Sequence, residues 1–115
     1  MAEFSSPAKQ ERKLLRKQYS ELFDHLCLIL YKRDPIGIAE GNPHWDEYSS
    51  EVGAILPRLK EASSAIDLRS IIYQEFLRWF EDSLTTGDEN RYEEIAQDIW
   101  QLWQDYQTEH PDVKL

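Results

Sequence analysis

Apolar residues in this chain recur at steps of three and four in four separate stretches, and nowhere do apolar and polar residues alternate over a useful length. The first period lines up side chains on one face of an α-helix, whereas a half-buried strand needs a period of two. Leu15, Tyr19, Leu22, Leu26, Ile29 and Leu30 make the first stripe; Trp45, Tyr48, Val52, Ile55, Leu56 and Leu59 make the second. Leu68, Ile72, Phe76, Trp79 and Phe80 form the third, widened by Ile71 and Leu77. The fourth runs through Tyr92, Ile95, Ala96, Ile99, Leu102, Trp103 and Tyr106. With no sheet to receive them, these stripes must bury one another. The expected fold is all-α, an antiparallel four-helix bundle with helices near 7–33, 43–60, 64–84 and 90–109. The predicted core includes Leu22, Leu26, Ile29, Val52, Leu56, Leu68, Ile72, Phe76, Ile95, Ile99 and Leu102. Trp79 and Trp103 also fall on stripes.

Helix ends are marked by residues that satisfy or refuse backbone hydrogen bonds. Ser6 before Pro7 and Asn42 before Pro43 read as N-caps followed by a proline at the first helical position. Asp34-Pro35 stops the first helix, because proline pushes the preceding residue out of the α region. Pro57 lies inside the second stripe and should kink or end that helix early. Ser64 with Asp67 resembles a capping box, and Asn90 with Glu93 reads as another N-terminal signature. Gly87 and Pro111 mark stops. The 115 residues are expected to form a single helical domain, with short tails at 1–6 and 110–115.

The net charge is −9, which opposes binding to a phosphate backbone or to an anionic membrane surface. It is unevenly spread: residues 1–33 hold seven Lys/Arg against four Asp/Glu, and residues 34–115 hold six against eighteen. The basic stretch reads as the solvated face of the first helix. The single cysteine, Cys27, has no partner for an internal disulfide and sits in an apolar run, so it reads as inert core in a reducing cytoplasm. That run, Leu26 to Tyr31, falls far short of a bilayer span of ~20 residues. No secretory signal is evident.

Two short motifs stand out: Asp34-Pro35-Ile36-Gly37 and, at the start of the second helix, Asp46-Glu47-Tyr48. In this pairing, across residues 26–60, the chain resembles a family of short bacterial proteins, a domain of unknown function. Ser49 stands where the family pattern carries an acidic residue. The resemblance implies the same helical order and no particular activity. Asp34, Asp46 and Glu47, with Glu40 and Glu51 nearby, are oxygen ligands of the kind that suits Mg²⁺ or Ca²⁺. The structural alternative is favoured. Asp34 would brace the turn through backbone N–H groups, and Asp46 and Glu47 would face the positive end of the helix they open. Ile36, Ile38, Trp45 and Tyr48 would plug the bundle end.

Catalytic patterns are missing. Glu21-x-x-Asp24 lacks the Glu-x-x-Glu that all-helical nucleotide pyrophosphatases pair with it. Glu21 and His25, four apart, have no second His or Cys at ligand spacing, and His44 has no companion that would mark it as a base. No metal or cofactor is expected, and no phosphate loop or nucleophile elbow occurs. The off-phase aromatics Tyr73 and Trp100 are the candidate partner-binding residues, since Trp and Tyr are common anchors of protein interfaces. The leading functional expectation is a non-enzymatic, acidic protein-interaction module, for instance an immunity or inhibitor protein facing a basic toxin. The partner would be another protein or a second copy of the chain. The rival is a metal-dependent enzyme or ligand-binding bundle built on Asp34, Asp46 and Glu47.

Overall fold

The computed structural model describes residues 19–37, 47–80 and 86–111. Among them are four α-helices, α1 (Ser20–Arg33), α2 (Ser49–Ile55), α3 (Ala65–Phe80) and α4 (Glu93–Glu109). Two 3₁₀ segments, Leu56–Glu61 and Glu89–Tyr92, lead out of α2 and into α4, and no strand is present among the described residues. The fold is all-α, as the periodicity requires. Residues 7–18 of the expected first helix, 43–46 of the second and 81–84 of the third lie outside the described residues, as does the tail at 1–6. At the other end α4 stops at Glu109, the expected end of the fourth helix, and residues 112–115 of the expected tail lie outside the described residues.

Local chemistry explains most helix ends. Pro57 stands at the second position of the 3₁₀ segment, so α2 is cut to seven residues and the stripe continues on a tighter winding. The second helix also starts later than the sequence suggested, because Glu47 and Tyr48 form a turn before Ser49. The capping box before α3 is realised with a one-residue shift. The Asp67 N–H donates to Ser64 Oγ (3.2 Å), while Asp67 Oδ2 accepts from the Ser63 N–H (2.9 Å). Asn90 is not the cap of the last helix: it lies inside the 3₁₀ segment, and Tyr92 precedes the first α residue. Gly87 takes φ +77°, and a Cβ there would run into the Arg91 guanidinium. The guanidinium is the end of a flexible side chain and can shift, so it is the positive φ that calls for glycine here.

Nine of the eleven predicted core residues are buried; Ile29 and Leu102 are partly buried and pack against the core from its margin. Cys27 is fully buried, as expected for inert core. The centre is aromatic: the Phe76 ring lies 5.0 Å from Tyr92 and 6.0 Å from Tyr48, both fully buried. Tyr48 precedes α2 and Tyr92 precedes α4, so α3 meets the starts of both helices at Phe76. The α1–α4 pair is antiparallel, with Arg33 against Asp98 at one end (Nε–Oδ2 2.9 Å) and Tyr19 against Tyr106 at the other (ring centroids 6.1 Å). These contacts are compatible with an antiparallel four-helix bundle.

Trp79 departs from the expected core, being 47% exposed. Its helical phase is that of Ile72 and Phe76, but it stands one turn beyond Phe76, the last buried residue of α3. Phase decides which way a side chain points; it does not set how deeply that end of the helix is covered.

Candidate functional site

The Asp-Pro-Ile-Gly turn is built by its backbone. Asp34 adopts the left-handed conformation (φ 46°, ψ 59°) while its N–H still donates to the Leu30 carbonyl at 2.7 Å. Aspartate tolerates this region better than most residues with a Cβ. Gly37 is also left-handed (φ +73°), and its N–H donates to the Asp34 carbonyl (3.1 Å). The Tyr48 hydroxyl donates to Asp34 Oδ1 (2.7 Å) and accepts from the Ile36 N–H (3.3 Å). Arg91 donates to the Pro35 carbonyl at 3.0 Å. One point therefore ties the end of α1, the start of α2 and the approach to α4. A buried phenol needs a hydrogen-bond partner, and Asp34 provides one from a position fourteen residues away.

This arrangement bears on the carboxylate cluster. Asp34 Oδ1 is engaged by Tyr48, Glu47 is half-buried in the turn before α2, and Asp46 lies outside the described residues. Ile38, Glu40, His44 and Trp45 lie outside them too. Among the described residues no group of three or more His, Cys, Asp or Glu is placed to hold a metal ion. Asp34→Ala is expected to cost about 1–3 kcal/mol, because it removes the acceptor from a buried hydroxyl and puts an intolerant residue at positive φ. Asp34→Asn keeps a carbonyl acceptor and tolerates the conformation, so it should cost less than about 1 kcal/mol. Urea titration measures both. Thermal melting with millimolar Mg²⁺ or Ca²⁺ should match melting in chelator. A rise of several degrees that disappears in Asp34→Asn would establish an ion site here.

Glu51, in the first turn of α2, is buried at 5% exposure. Burial pushes its carboxyl above the usual carboxylate range, a hydrogen bond from its own backbone N–H opposes this, and the Glu47 charge adds to the rise. A carboxyl raised in the folded state favours folding while protonated. That contribution is complete below the unfolded value, ~4.3, and is lost as pH rises through the folded value. Glu51→Gln should therefore raise the melting temperature at pH 7, with the gain shrinking as the pH approaches about 4. An equal effect at both pH values would mean that charge burial is not its cause. Tyr92 is similarly affected: burial pushes its hydroxyl up to about 12, while the hydroxyl donates to the Thr86 carbonyl at 2.6 Å.

The predicted partner residues lie at the core's edge. Tyr73 and Trp100 are partly buried and packed against the core, with the Tyr73 ring 5.9 Å from that of Tyr92. The more open apolar surface is elsewhere. Between α1 and α4 run two contiguous depressions of about 240 and 190 Å³ that share His25 and Leu102. One is lined by Leu28, Ile29 and Lys32. The other holds Glu21, Asp105 and Glu109 beside Tyr106 and His110. His110 packs against Tyr106 with ring centroids 4.3 Å apart, closing that end. Leu28 is 36% exposed.

The sequence contained a signal for this groove. Leu26 and Leu28 are two residues apart, about 200° around a helix, so they cannot share a buried face. An unbroken apolar run on a helix must show one member to the outside. Comparison of the chain with protein-family models, with curated proteins and with solved structures finds no match. No helix among the described residues is long and apolar enough to cross a membrane.

Proposed function

We propose that this chain is a non-enzymatic, acidic helical module that binds another protein in the cytoplasm, in the manner of an immunity or inhibitor protein that masks a basic partner. The observation that supports this reading is the solvent-open groove between α1 and α4, apolar along its floor and carboxylate-rimmed at one end. Open apolar surface of this kind, flanked by charge, is what association buries. The net charge of −9 speeds encounter with a cationic partner and disfavours nucleic acid. The exposed Trp79 is a second apolar surface that a partner could cover.

Affinity capture from native lysate on immobilised protein, read by mass spectrometry, tests the reading. The expected result is a basic protein retained at near-equal stoichiometry and released by raised salt. Failure to retain any protein above a bead control, at low and at physiological salt, would refute it.

A further inference from the structure

We propose that the α1–α4 groove is the seat of one kind of partner segment, a basic amphipathic α-helix; this rests on the interaction reading above. Three features of the groove select that occupant. Its floor, formed by Leu28, Ile29 and Leu102, calls for an apolar stripe. Its walls are two helices whose backbone groups are already paired, and among the described residues no strand edge is available to pair with an extended peptide. An extended segment laid here would leave its own N–H and C=O groups unpaired, whereas a helix satisfies them internally. From Glu21 to Lys32 the groove follows α1 for about 16 Å, the length of three helical turns.

The charge of the occupant follows from the rim. Glu21, Asp105 and Glu109 gather at the Tyr106 end, and α4 contains five Asp/Glu and no Lys or Arg. At the opposite end the groove is lined by Lys32, with Arg33 beyond it held by Glu94 and Asp98, so the cations of the occupant belong at the Tyr106 end alone. Lys or Arg residues flanking the incoming stripe would lie over the three carboxylates.

The full-length ¹⁵N-labelled protein titrated with a synthetic leucine–lysine amphipathic peptide of about 18 residues, five helical turns, provides the test. The matching leucine–glutamate peptide is the control. The lysine peptide should shift amide signals along the groove, at His25, Leu28 and Leu102, and the glutamate peptide should not. Leu28→Asp, at an exposed position and with an unchanged circular dichroism spectrum, should weaken binding roughly tenfold. Glu109→Lys should weaken it several times more than Glu93→Lys, which changes net charge equally outside the groove. Shifts mapping elsewhere, no binding, or equal effects of the two reversals would overturn the proposal. If lysate capture yields a partner that Leu28→Asp retains undiminished, the groove assignment fails and the interaction reading stands. If the peptide binds the groove and lysate yields nothing, the reverse holds.

Discussion

Phe76→Ala is expected to lower stability by about 3–5 kcal/mol, the range for removing a buried phenylalanine ring. The upper part of that range applies because the site cannot readily collapse. Phe76 is fully buried, with Tyr92, Phe80 and Tyr48 at centroid distances of 5.0, 5.8 and 6.0 Å. Two of those rings are pinned at their far ends, Tyr48 by Asp34 (2.7 Å) and Tyr92 by the Thr86 carbonyl (2.6 Å). Moving either ring into the cavity would break a hydrogen bond made by a buried hydroxyl, which costs about as much again as it recovers, ~1–3 kcal/mol. Because those tyrosines begin α2 and α4, the cavity opens where three helices meet. A domain of this size has only ~5–15 kcal/mol of net stability, so the variant should stand close to unfolding at 37 °C. Urea denaturation followed by circular dichroism gives the value. A loss below about 1 kcal/mol would mean that Phe76 does not hold this junction.

What could be read from the sequence was local. The Ser64–Asp67 capping box, the early end of α2 at Pro57 and the stop of α1 at Asp34-Pro35 each depend on residues within a few positions, and each was legible. The apolar period correctly chose the buried face of every helix. It could not report height along the bundle. Trp79 has the core phase but lies a turn beyond Phe76, the last buried residue of α3. Ile29 and Leu102 have the core phase too, yet both line the groove, because α1 and α4 have no further element over them there among the described residues. The same two residues that fall short as core thus form the floor of the candidate site. Contacts that join distant positions were also hidden. Tyr48 was read as apolar cover for the turn, and its hydroxyl bond to Asp34 appears only once α1 and α2 are brought together. Tyr73 and Trp100 were chosen for being off-phase, and a small bundle with a wide apolar face draws both against its edge.

Glu75 carries the other large expected effect, because it is a carboxylate on a core face. It follows Leu68, Ile71 and Ile72 at helical steps, is 1% exposed, and meets Arg58 from the 3₁₀ segment at 2.8 Å. Arg58 also donates to Glu61 (3.2 Å) and to Gln74 (3.1 Å), so its guanidinium is held in place before it reaches Glu75. Arg78 approaches the second Glu75 oxygen at 3.5 Å but is 70% exposed, and an exposed cation of that kind contributes little. Removing Arg58 should therefore leave a nearly bare charge in the interior. Arg58→Ala is expected to cost about 3 kcal/mol, the scale of a broken buried pair. Glu75→Gln removes the charge itself while Arg58 keeps Glu61 and Gln74, so it should cost only about 1 kcal/mol. The asymmetry separates this pair from a surface bridge, where either deletion would matter equally little. Replacing both together, as Arg58→Met with Glu75→Leu, should restore most of the stability lost in Arg58→Ala, since an apolar pair of similar volume needs no compensating charge. Urea unfolding of the three variants gives the comparison. Equal small losses for Arg58→Ala and Glu75→Gln would show that solvent already screens Glu75.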